Sequence, residues 1–200
     1  MLAGHYAPAL VLKRYAPEIP LWSLLIAAQA VDIGYMTLAL FDIETASIDN
    51  ARAPKFVVGH GIWTHSLLMT LIYGAVCLGI GAAMKKTKLG AIFALAVMSH
   101  WFCDLLVHVP DLPIGLSDTP HVGFGLWQYP LAATALECAL VIAAAGKRYW
   151  TIAVFLCGLQ IVQDFVLPMD LDIHIVAVKA LILYFAFPAG VWFAARRGRI

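Results

Sequence analysis

In the stretch MSHWFCDLLVHVPDLP, Met98–Pro113, His100 and Asp104 stand one helical turn apart. On an α-helix both side chains then project from one face and reach a common ion. Imidazole nitrogen with carboxylate oxygen is a ligand set for zinc, manganese or iron(II). His and Asp at this spacing are frequent on solvated helices, but here AIFALAVMS precedes the pair and LLV fills its second turn. Without a solvent face, the pair is either a ligand pair or a structural hydrogen bond between helices. Ionisable groups placed inside a membrane favour function.

Other groups reach comparable depths. At about 1.5 Å rise per residue, His100 lies ~16 Å from the start of its apolar run, Asp32 ~18 Å and His5 ~12 Å. His5 reaches that depth only if Leu2–Tyr15 is a short helix dipping back into the bundle from the basic pair Lys13–Arg14. Glu137 arrives near the middle of a later run, Gln160, Gln163 and Asp164 climb through another, and His65 stands at the mouth of a third.

The elements that must position them are membrane helices. Of 200 residues, 62% are hydrophobic and 12% charged, against about half and a quarter in soluble domains. Apolar runs near the ~20 residues that cross a bilayer recur throughout. We expect an all-α, polytopic bundle forming one membrane domain over residues 1–200. Its six spans are about Leu21–Phe41, Trp63–Met84, Leu89–Val109, Leu126–Ala145, Tyr149–Leu167 and Ile173–Ala195. Lys13, Arg14, Lys85, Lys86, Lys88, Lys147, Arg148, Arg196, Arg197 and Arg199 fall on one side. The acids Asp42, Glu44, Asp49, Asp111, Asp118, Asp170 and Asp172 fall on the other, with Arg52 and Lys55 as the exceptions. The positive-inside rule then puts both termini in the cytoplasm. A net charge of +1 without a basic stripe excludes a nucleic-acid surface. The four cysteines lie in apolar runs without CxxC pairing and read as packing residues. No feature indicates an oligomeric state.

Several groups have plainer readings. His108, Asp111, His121 and His174 lie at or beyond span ends, where water solvates them. Asp32 and Glu137 could pair with Lys179, or Asp32 could cap a kink near Gly34. His65 could belong to a helix N-cap formed by Thr64 or Ser66.

The pieces GHYAPAL, AVDI, HGIWTHSLL and SHWFCDLLVH occur in that order. In this they resemble the inner-membrane-associated, metal-dependent hydrolases also described as LexA-binding, or YdjM-like. The resemblance covers roughly the first half of the chain. It implies a bacterial inner-membrane protein whose metal and catalytic set is His5, Asp32, His60, His65, His100 and Asp104. The Arg that follows the first His of the family's HRGxTHS motif is absent here, which sets His60 apart. Asp32 is the only acid where the family carries PDxD. The HxxxD spacing is also similar to zinc-dependent phospholipase C.

Together these features predict a membrane-embedded hydrolase. His5, Asp32, His65, His100 and Asp104 would hold a divalent cation, zinc first, manganese or iron as alternatives. The substrate would be an ester or phosphoester of an amphiphile or membrane lipid. Glu137 or Asp164 would act as general base and Lys179 would steady negative charge on the leaving group. A metal-ion or proton transporter, and a non-catalytic membrane interaction protein, remain the alternatives.

Overall fold

The structure is a computed structural model that describes residues 2–51, 55–117 and 120–198. Arg52, Asp118 and Arg199, assigned above to the two faces, lie outside the described residues.

The chain is mostly helical, in the order α1 (Tyr6–Tyr15), α2 (Leu21–Ala28), α3 (Ala30–Ala39), α4 (Leu67–Ala83), α5 (Thr87–Val107), α6 (Pro130–Ala145), α7 (Trp150–Ile161) and α8 (Ile173–Arg196). Two short antiparallel hairpins interrupt it, β1 (Thr45–Ile48) with β2 (Phe56–His60) and β3 (Leu112–Pro113) with β4 (His121–Val122). Pro20 and Pro130 open α2 and α6, where a missing amide costs nothing. Ser66 caps α4 by accepting from the Met69 amide at 3.2 Å.

By length and apolarity α5 and α8 can each cross a membrane, and α2 with α3 forms a third candidate bent by 52°. The expected count of six is not supported among the described residues: α4, α6 and α7 with its π-helical extension to Val166 are apolar but shorter. The first span is broken at Gln29, not near Gly34. The chain before α1 folds inward, and Leu2, Ala3 and His5 are buried.

α4 and α5 are antiparallel neighbours that approach closely at a pair of glycines. A methyl group on Gly81 would stand 2.6 Å from the Gly90 Cα, and one on Gly90 would stand 2.7 Å from the Cys77 carbonyl oxygen. Small residues at such a crossing let helix backbones pack where lipid offers no hydrophobic drive. At the basic end, Lys88 pairs with Glu18 at 3.1 Å and Arg14 donates to the Ala143 and Ala144 carbonyls. At the opposite end the two hairpins fold over the bundle, where Asp111 accepts from the Val58 amide at 2.8 Å.

Candidate metal centre

Three local features of the sequence build the centre. The helix break at Gln29 places the Ala28 carbonyl against α5, where His100 Nδ1 donates to it at 2.8 Å. Because a carbonyl only accepts, His100 Nδ1 carries a proton, and Nε2 is the nitrogen left facing inward. One turn on, Asp104 lies on the same face, with Nε2 of His100 3.1 Å from its Oδ2 and 3.4 Å from Asp32 Oδ1. Gln29 in turn donates to Asp32 Oδ2 at 2.5 Å.

The turn before α4 supplies His65. Its Nε2 stands 3.3 Å from Asp32 Oδ1 and 3.7 Å from Asp104 Oδ2. Its Nδ1 lies 2.9 Å from the Thr64 hydroxyl, which gives its own proton to Glu44 Oε2 at 2.6 Å. The hydroxyl therefore accepts from His65, and the Glu44–Thr64–His65 chain commits Nδ1 outward, as the Ala28 carbonyl does for His100. Glu44 is fully buried and also accepts from the Trp63 and Thr64 amides. Trp101 donates to the His65 carbonyl at 2.9 Å, tying that turn to α5.

The inward N-terminal segment supplies His5. Leu2 and Gly4 donate their amides to Glu137 Oε2, and Ala3 donates to Gln160 Oε1 at 2.9 Å. So held, His5 lies 2.9 Å from Asp104 Oδ1 through Nε2 and 3.6 Å from Asp32 Oδ2 through Nδ1. Its ring sits on that of His100, centroids 3.6 Å apart.

His5, Asp32, His65, His100 and Asp104, read from the sequence as candidate ligands, thus come together from four separate segments. Within them His5, His100 and Asp104, and likewise Asp32, His65 and His100, offer ligand atoms within 4.8 Å of one another. All five residues are buried, and among the described residues neither His100 Nε2 nor His5 Nδ1 has a hydrogen-bond partner. Unsatisfied imidazole nitrogens deep in a fold are costly, and two carboxylates beside them fit a divalent cation. His100 and His65 also have the outer hydrogen bonds that orient ligating histidines.

Other expectations need correction. His108 and Asp111 are not solvated: both are buried, because Pro110 turns the chain back and the hairpins cover it. His108 Nδ1 donates to Asp111 Oδ1 at 2.9 Å, Nε2 faces Asp104 Oδ1 at 3.5 Å, and the ring lies against Trp127, tilted by 40° with centroids 4.3 Å apart. Glu137, expected as a base, instead anchors the N-terminal segment. The carboxylate of Asp164 accepts from Thr134 and Gln160. Lys179, expected beside Asp32 or Glu137, is exposed and paired with Asp170 at 2.6 Å. His60, His121 and His174 are exposed, so the solvated reading of the last two stands. Glu44 had looked like one more acid of an outer loop; its role arises from a contact across the chain that no local pattern reveals.

A cavity of about 410 Å³ opens onto the cluster. Asp32, His65 and His108 line it, as do Trp127, Asp164 and Lys179, with apolar walls from α7 and α8. Comparison with family models, curated proteins and solved structures finds no match for this chain.

Proposed function

We propose that the chain is an integral membrane metal-dependent hydrolase acting on an ester or phosphoester of an amphiphile. One observation carries this reading. His65 and His100 commit Nδ1 to outer acceptors and turn Nε2 toward Asp32 and Asp104, beside a cavity walled by apolar side chains. In this reading all six apolar segments lie in a bacterial inner membrane with both termini cytoplasmic, as the alternating charges and the YdjM-like motif order suggest.

Asp32, Asp104, His65, His100 and His5 would hold the ion, zinc by ligand type, with manganese or iron(II) compatible. When bound, the cation supplies Lewis acidity toward a phosphoryl or carbonyl oxygen and acidifies water. The chain's own residues do the rest. Glu44 through Thr64, and the Ala28 carbonyl, hold the two imidazoles in the ligating tautomer. Glu137 and Gln160 keep His5 in place. Leu159, Leu167, Val176 and Leu183 give an alkyl chain a dry wall.

A transport path would need polar groups running on toward the basic end. Instead Ala96 and Val97, one turn from His100 in that direction, pack with Ala27 and Val31, and Leu10, Leu24 and Leu25 beyond them are buried and apolar. This favours a one-sided pocket. The test is hydrolysis of lipid phosphoesters and neutral esters in mixed micelles by zinc-loaded protein. Turnover abolished in Asp32→Asn supports the reading; absence of turnover with any ester in metal-loaded protein contradicts it.

A further inference from the structure

Lys55 breaks the charge pattern: it is a cation on the acidic face. Here it lines the same cavity as Asp32, His65 and His108, and it is half-buried. Its ammonium donates to the backbone carbonyl of Asp164 at 3.1 Å, a neutral acceptor. The carboxylate of Asp164 is engaged elsewhere, by Thr134 Oγ1 and Gln160 Nε2. The other cation of the cavity, Lys179, is neutralised by Asp170, whereas no ion pair to Lys55 exists among the described residues. A half-buried ammonium without a counter-charge is held at a cost, and one that faces a cavity recovers that cost by binding an anion.

We infer that Lys55 is the anion-binding residue of this cavity, and that its ligand is an alkyl phosphate or phosphoester in preference to a neutral ester. Of the acids in the walls, Asp170 is paired with Lys179, Asp164 is engaged by Thr134 and Gln160, and Asp32 belongs to the metal cluster; the rest of the lining agrees with an anionic head. The imidazoles of His65 and His108 stand at one side of the cavity, and a divalent cation held by the cluster would attract the same phosphoryl oxygens. The apolar walls match an alkyl chain. Lys55 is a specificity-determining residue in this account: it selects the charged head while the aliphatic side chains select the tail. The inference rests on the metal-centre reading for the cation's share of the attraction, and Lys55 supplies the rest.

The test is equilibrium binding of dodecyl phosphate and of dodecanol to the full chain in maltoside micelles, with metal content measured on the same samples. Wild type should prefer dodecyl phosphate. Lys55→Gln should weaken dodecyl phosphate about tenfold, the scale of one charge-assisted hydrogen bond, while leaving dodecanol binding and bound metal unchanged. Lys55→Arg should retain most of the preference, and Lys179→Gln should change it little. Equal affinity of wild type for the two ligands, or unchanged phosphate affinity in Lys55→Gln, with metal retained, overturns the inference and leaves the metal centre standing. Wild type that binds no divalent ion overturns the metal centre and with it the inference built upon it.

Discussion

At the level of single residues, the centre is a shell of imidazoles facing two carboxylates, with a second layer that fixes the imidazole protons. That layer is testable apart from the ligands. Glu44→Gln and Thr64→Val should each weaken metal affinity by about 10- to 100-fold, read as zinc retained against a competing chelator, with helical content unchanged. Asp32, His100 and Asp104 were legible in the sequence because a titratable side chain stands out inside an apolar run, and counting residues along a helix gives its depth; His5 needed the inward-dipping segment, and His65 the resemblance of HGIWTHSLL to the family motif. Glu44, His108 and Asp111 were not legible for the converse reason. They sit at or beyond the ends of the apolar runs, where an acid or histidine reads as solvated, and they become buried only when the hairpins fold over the outer end. Lys179 misled in another way: it stands in the apolar run of α8, but its long side chain reaches Asp170 at the surface.

At the level of elements, helix breaks and close crossings set the geometry. The bend at Gln29 creates the carbonyl that orients His100, and the α4–α5 crossing holds the His65 turn against α5. Replacing Gly90 with Val forces those backbones apart and should cost about 1–3 kcal/mol by overpacking, measured as denaturant-induced unfolding in detergent. Ser66→Ala removes the cap of α4 and should cost about 1 kcal/mol in the same assay. The cap of α8 is pH-sensitive. The His174 amide, and then its imidazole, hold the Asp172 carboxyl below the ordinary carboxylate range. The cap is therefore complete above the unfolded value and is lost only as pH falls through the lowered folded one, which an NMR titration of Asp172 should show. The helical class and the order of apolar segments followed from composition and run length. The bend at Gln29 did not, because no proline or glycine marks it, and the hairpins did not, because their strands span two to five residues.

At the scale of the whole molecule, charge and chemistry divide between two ends. The basic end is closed by apolar packing and by contacts such as Lys88 with Glu18, while the acidic end carries the hairpins and the cavity. If the basic end faces the cytoplasm, single cysteines placed at Lys147 and at Asp49 of a cysteine-free background should label from opposite sides of sealed inner-membrane vesicles. Labelling of both from one side would contradict that topology. The central claim, however, is that the buried imidazoles and carboxylates exist to hold an ion, and elemental analysis of gently purified protein addresses it most directly. Wild type should retain at least one divalent ion per chain, and His100→Ala and Asp104→Asn should each lose it while remaining folded. Wild type that carries no stoichiometric divalent ion, and takes up none when zinc, manganese or iron(II) is supplied, would contradict the account.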